Sequence, residues 1–443
     1  MRTKRRSRRL LVSVVSVWVV AITATVLSAA SLPWPGADPA MQLVPGGWNR
    51  LELSFIGADD GNLAGAWPGP DHSSIHFATK LPSGEWQTDP TLSGLNPLEA
   101  PTDKEYWAPD LAFVEGGLSL VWTVASTNQL AVFYKSLENS DSDVVMAGIY
   151  GTVVSDLAAT PYAEHIVFPA STNSEQVTDM DLYYSRKELD NITWPAPTAI
   201  VTGAATVWYP RIAGSPATDT VYVVWNHRAA NSWRIYYMSG TWKSEESRMQ
   251  WSAPLPLSPD SQTTTLPQIA VGPTGAIHVV WTEIVGGIGD IKGQHVYYRS
   301  PSGQITKLSG DAPLSLEPSF VGEYLYDPYV RSTIALTGSR LCVTWDGFDS
   351  SIAGSHDEIT LRCSPDKGET WDPSVTVSQD GEAGQAARSS HPVVLVDEGD
   401  NAHVLWAQYQ ISVEDQPAGV YYRTGPANMD VHVVALPLVM RGR

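Results

Sequence analysis

Side chains able to hold a hydroxyl-rich ligand recur at two positions of a loose repeat. Ahead of successive apolar runs stand Trp107 and Asp110, Tyr209 and Arg211, Tyr326, Asp327, Tyr329 and Arg331, then Arg388 and His391. Behind Trp-ended runs stand Asn226, His227 and Arg228, Glu283, Asp346 and Asp349, and Gln408 and Tyr409. Aromatic faces stack on sugar C–H surfaces, while Arg, Asp, Asn and Gln bond hydroxyls and carboxylates. Plainer roles stand beside this one: Arg211 and Arg331 as partners of the many carboxylates, and His391 as the end of a loop before Pro392. The acidic runs 58–62 and 397–401 lack the ligand spacing of a calcium loop and hold the Asp, Asn and Gly that hairpin turns favour. With no Cys/His cluster and no Gly-rich loop leading a helix, neither a metal nor a cofactor is expected.

The elements that must position these groups are short β-strands. A unit traceable seven times has a first apolar strand often led by Pro, a Gly/Asp turn, and a second strand ending in an aromatic. A third strand with Tyr-Tyr and a turn into a Trp-led fourth strand follow. The second-strand aromatics are Trp67, Trp122, Phe168, Trp225, Trp281, Trp345 and Trp406, at the spacing of four-stranded propeller blades. In such a ring, the leads of first strands and the ends of second strands meet at one mouth of the central channel. That mouth is the expected site. The tail around 431–439 reads as a last strand that closes the ring by pairing within the first blade, removing a free edge.

The sharpest copy of the third-to-fourth turn is Ser364-Pro365-Asp366-Lys367-Gly368-Glu369-Thr370-Trp371, which reads S-x-D-x-G-x-T-W. It resembles the Asp-box of the sialidase (neuraminidase) superfamily and related BNR-repeat proteins, and Ser364, Asp366, Gly368, Thr370 and Trp371 carry the resemblance. Asp bonds its own backbone there, Gly supplies a positive φ and the aromatic pins the turn. The resemblance implies a β-propeller over roughly residues 44–436. It implies six blades, as catalytic sialidases have, where the repeat count implies seven. It also implies a carboxylate clamp of three arginines, mapped as Arg211, Arg331 and Arg388. Glu283 would activate Tyr326 or Tyr329 as nucleophile, with Asp110 or Asp327 as acid/base. Trp107, Tyr209, His227 and Asp346 complete the binding set. The first-blade aromatic-Arg-Ile-Pro signature of the family is missing, and its nearest string, Tyr209-Pro210-Arg211-Ile212, falls in the fourth repeat.

Cys342 and Cys363 fall on neighbouring strands of one repeat. If Trp345 faces Thr360 across that hairpin the two cysteines are directly opposed, so a disulfide and a pair of buried free thiols are both open. The 443 residues carry a formal charge of -19, and six of the 28 basic groups lie within the first nine residues. Such an acidic body makes nucleic acid an unsuitable partner. Leu10–Ser31 is an uncharged apolar run behind that basic segment, with the polarity of an export signal and the length of a membrane anchor. The expected organisation is therefore a signal peptide or anchor over 1–31, a Pro-rich spacer over 32–43 and one propeller domain over 44–443, secreted or displayed at the cell surface. The preferred function is glycan recognition at the mouth without catalysis. An exo-sialidase-type glycoside hydrolase is the alternative, and an extracellular protein-binding scaffold a third reading.

Overall fold

A computed structural model describes residues 32–45, 53–57, 62–68, 75–80, 86–88, 105–114, 117–126, 129–137, 142–151, 154–173, 179–203, 206–229, 232–287, 290–316, 329–349, 357–378, 387–410 and 417–428. Leu10–Ser31 and the tail around 431–439 lie outside these residues, and so do Tyr326 and Asp327. The described residues form a seven-bladed β-propeller. Blade 1 is built from Ser54–Gly57, Leu63–Pro68, Ile75–Lys80 and Trp86–Thr88, each strand antiparallel to the one before it. Blade 2 takes Glu105–Val114, Gly117–Ser126, Gln129–Ser136 and Ser142–Ile149, and blade 3 Asp156–Ala159, Ala163–Ala170, Asp181–Glu188 and Thr198–Val201. Blade 4 takes Val207–Gly214, Thr220–Ala229, Ser232–Lys243 and Arg248–Trp251, and blade 5 Thr263–Val271, Ile277–Val285, Gly293–Arg299 and Ile305–Lys307.

Blade 6 takes Ser332–Thr337, Arg340–Trp345, Thr360–Ser364 and Val375–Thr376, with Leu32–Pro33 added in parallel outside it. Blade 7 takes Ala387–Val396, Asn401–Gln410 and Pro417–Pro426, and its fourth strand is Met41–Pro45 from the opposite end of the chain. The stretch read as a spacer thus runs along two blades, and the outermost strand of the last blade comes from the chain's start.

The second strands hold the core. Trp67, Trp122, Trp225, Trp281 and Trp406 are all essentially solvent-free, with Phe168 in the same role in blade 3. A second layer joins neighbouring blades near the other end of the channel. A tyrosine on a third strand meets, edge to face, a tryptophan of the next blade's outer turn or strand: Tyr134 with Trp194, Tyr184 with Trp251, Tyr298 with Trp371 and Tyr422 with Trp86, at 4.8–5.2 Å between centroids. The same phenols bond a second-strand partner of their own blade: His165 to Tyr184 and His278 to Tyr298 at 2.7 Å, His403 to Tyr422 at 2.8 Å, and Ser119 to Tyr134 at 3.0 Å.

In the Ser364–Trp371 turn, Asp366 Oδ1 accepts from the Thr370 N–H at 2.7 Å and Oδ2 from its hydroxyl at 2.6 Å. Ser364 Oγ accepts from the Gly368 N–H at 2.7 Å, and Gly368 takes a φ of 93°. Cys342 and Cys363 face each other in register and are joined as a disulfide.

Candidate functional site

One inner-strand position recurs round the ring: Ser54, Asp110, Asp156, Arg211, Gln268, Thr333 and Val393 in blades 1 to 7. At four of these positions the side chain takes the N–H one residue beyond the same position in the following blade. Ser54 Oγ accepts from Leu111 at 3.0 Å, Asp110 Oδ2 from Leu157 at 2.7 Å, Asp156 Oδ2 from Ile212 at 2.6 Å and Thr333 Oγ1 from Val394 at 3.2 Å. Arg211 carries only donors and turns back to Asp156, its Nη1 2.9 Å from Oδ1. Other ties complete the joints: Asn226 Nδ2 donates to the Thr264 carbonyl, and Gln294 Oε1 accepts from Val330. Asp346 accepts from the Arg331 N–H at 2.6 Å and the His391 N–H at 3.0 Å.

Four blades set this position with the same distortion. The pairing of first and second strands skips at 108–109, 209–210, 266–267 and 391–392, so two residues oppose one. The residue opposite is each time the buried second-strand tryptophan, Trp122, Trp225, Trp281 or Trp406. Each bulge is a non-glycine residue followed by proline, and Ala108, Tyr209, Leu266 and His391 hold φ of 46°, 49°, 51° and 55°. Left-handed backbone costs an L-residue roughly 1–2 kcal/mol. Proline suits the bulge because it has no N–H to leave unpaired.

The bulges frame an axial cavity of ≈ 230 Å³ to which all seven blades contribute, among them Ser54, Asp110, Asp156, Arg211, Gln268, Arg331 and His391. Asp110 and Asp156 are buried and hydrogen-bonded to one another. Burial first, and then the Asp156 charge, push Asp110 up to about 8, while burial raises Asp156 against the pull of Arg211. The pair therefore keeps a proton at neutral pH. Burial also pushes Asp346 up to about 6, and holds His391 well below the usual imidazole range, so its ring is neutral.

Beside this polar ring lies an aromatic shelf. Trp208 has its centroid 5.9 Å from both Tyr209 and Trp233, stacking on the latter at 27°, and Tyr329 meets Trp233 edge-on at 6.3 Å. Leu266 and Ile284 pack beneath it, and Trp208, Tyr209 and Trp233 remain partly exposed.

The cavity thus unites Asp110, Arg211 and Arg331, and the shelf unites Tyr209 with Tyr329. His227 lies against Tyr236 of its own blade, with ring centroids 4.6 Å apart and the planes tilted at 46°. Glu283 hydrogen-bonds Tyr297, whose phenol is pushed up to about 12 by burial and then by the Glu283 charge, away from phenolate formation. Trp107 and Arg388 lie on inner strands, with their side chains outside the described residues. Asp156, Trp208 and Trp233 were missed by reading the sequence. A signal for the first existed, since Asp110-Leu111-Ala112 recurs as Asp156-Leu157-Ala158. Trp208 repeats the place of Trp107 before an X-Pro step, whereas nothing local distinguishes Trp233.

The fold and this site define a seven-bladed propeller with a polar axial cavity and an aromatic shelf at its edge. No protein-family model and no curated protein matches the chain. Among solved structures it is similar to the polysaccharide lyase Uly1, at TM-score 0.51 and 7% identity over 89% of this chain and 100% of that one. It is also similar to the subtype N10 neuraminidase-like protein of A/little yellow-shouldered bat/Guatemala, at 0.44 and 9% over 74% and 96%. With a prolyl endopeptidase the values are 0.46 and 10%, over 85% of this chain and 50% of that one, so this chain spans half that enzyme's length. These likenesses are ones of fold.

Proposed function

We propose that the protein is an exported or surface-displayed propeller that recognises glycans at the mouth of its central channel without cleaving them. The observation that carries this reading is the shelf of Trp208, Tyr209 and Trp233 beside the cavity that holds Asp110, Asp156, Arg211 and Arg331. Stacking surface and directional polar groups adjoin, as sugar recognition requires. The carboxyl groups are occupied in joining blades. Asp110 holds Ser54 and Leu157, and Asp156 holds Ile212 and Arg211. Their direct contact also falls short of the roughly 5–9.5 Å that separates the two carboxyls of glycosidases acting by retention or inversion. Export rests on the basic segment followed by Leu10–Ser31.

A glycan array probed with the exported domain tests recognition, and Trp233→Ala is expected to lower the signal of every hit by about tenfold. An array without hits leaves the protein-scaffold reading. Turnover of a fluorogenic sialoside, abolished by Arg331→Ala, would replace the proposal with the exo-sialidase one.

A further inference from the structure

A second concavity, of ≈ 990 Å³, lies between blades 3 and 4 where the turns from first to second strands gather, away from the axial cavity. Blade 4 is built differently here. Its third strand, Ser232–Lys243, runs for 12 residues, and its far end pairs with Arg248–Trp251 as a projecting hairpin. That extension carries Trp242, whose N–H donates to the Asp219 carbonyl at 2.9 Å and whose ring belongs to none of the apolar cores. Across the groove Tyr162 is 54% exposed. Two aromatic side chains outside the apolar cores thus border one groove. The extra length of the hairpin brings Trp242 there, where Arg186 of blade 3 lies over its ring, while Tyr184 and Trp251 make the aromatic joint between the blades.

The polar groups between them are fixed in advance. The Arg186 guanidinium lies over Trp242 at 4.0 Å from the ring centroid and reaches Asp219 Oδ2 through Nε at 3.2 Å and Nη2 at 2.6 Å. Its Nη1 donates to Glu188 at 3.1 Å. Thr160 and His165 hold the other oxygen of Asp219. Glu188, Asp190 and Asp219 outnumber the single cation, so an anionic ligand is disfavoured, whereas oriented acceptors beside aromatic faces suit vicinal hydroxyls. We infer that this groove is a second carbohydrate site, taking a neutral oligosaccharide stacked on Trp242 and Tyr162. It is independent of the channel mouth.

Isothermal titration with cellotetraose, xylotetraose, α-1,5-arabinotetraose and maltotetraose tests it, with sialyllactose and a lysine hexamer as charged comparators. At least one neutral tetrasaccharide is expected to bind at one site, with affinity about tenfold lower in Trp242→Ala and in Tyr162→Ala. Trp233→Ala, at the mouth, is expected to leave that binding unchanged. Melting temperatures monitor folding; should Trp242→Ala unfold, Trp242→Phe, which keeps a ring and retains most of the affinity, and Tyr162→Ala decide. The inference is overturned if no neutral tetrasaccharide binds, if binding follows Trp233 and not Trp242, or if only the lysine hexamer binds.

Discussion

A carboxyl that keeps its proton at neutral pH makes stability depend on pH in a definite direction. Asp110 has a folded pKa of about 8, above its unfolded value near 3.8, so the folded state holds the extra proton between those limits. Its contribution is full below about pH 4 and is lost as pH rises through 8. Asp110→Asn keeps an uncharged group that can donate to Asp156 and accept from Leu157. Urea melts from pH 5 to pH 8 are expected to show a steeper fall in wild-type stability than in this variant, which keeps the fall due to Asp346; equal slopes would mean that the pair holds no proton. At the same ring, Ala108 sits at a φ of 46°, where glycine is at ease. Ala108→Gly is expected to raise the unfolding free energy by about 1 kcal/mol, read from the urea midpoint at unchanged m. These residues were only half legible in the chain. Asp110 could be placed at the mouth because it leads a strand. Its pairing with Asp156 depends on two inner strands meeting across a blade joint, which no local pattern states, although the repeated Asp-Leu-Ala string points to equivalent places.

The joints between blades are built from third-strand tyrosines, and the Ser364–Trp371 turn shows how little freedom they leave. A Cβ on Gly368 would strike the Tyr298 ring of the preceding blade, and the glycine's φ of 93° would strain any other residue there. Tyr298 also donates to the Lys367 carbonyl at 3.0 Å, so the turn docks on that phenol. Gly368→Ala is expected to cost about 2–4 kcal/mol from backbone strain and overpacking, measured by denaturant unfolding. His278, bonded to the same phenol, is pushed down to about 4 by burial and then by the Lys367 charge. With a folded pKa below its unfolded value near 6.5, it contributes stability that is complete above pH 6.5 and lost as pH falls through 4. The drop in melting temperature between pH 6.5 and 4 is therefore expected to shrink in His278→Gln. At this scale the sequence was most readable. Trp-ended second strands and Tyr-Tyr third strands mark a repeat because every blade must bury the same faces; of the tryptophans expected to lead fourth strands only Trp86 does so, since Trp251 ends its strand and Trp194 and Trp371 lie in the turns before theirs. The bulges were hidden, since a non-glycine residue at positive φ before proline opposes local preference and is held only by the tryptophan and the neighbouring strand around it.

A ring of blades has no free edge only if its last joint is made, and here that joint is made by residues 32–45. Met41–Pro45 forms the fourth strand of blade 7 by pairing with Pro417–Pro426, and Leu32–Pro33 lies outside blade 6. Between them Trp34 is buried, donates Nε1–H to the Pro426 carbonyl at 3.0 Å and has the Arg423 guanidinium over its ring at 5.9 Å. Arg423 in turn donates to the carbonyls of Asp38 at 2.8 Å and Val377 at 2.6 Å, so one strap binds blades 6 and 7. Nothing in Met-Gln-Leu-Val-Pro names Gly419–Tyr422, at the far end of the chain, as its partner. Strand pairing at that range is decided by which edge remains open once the other sheets have formed, and so it could not be read from the strap itself. Because the strap is added from outside, its loss should open the ring before the blades unfold. Trp34→Ala removes a large buried side chain, at a cost of about 3–5 kcal/mol, while leaving the strand residues in place. In native-state hydrogen exchange the amides of 419–426 are then expected to lose protection first, those of blades 3 and 4 keeping theirs. Uniform loss of protection across all seven blades would show that closure and blade formation are one cooperative event.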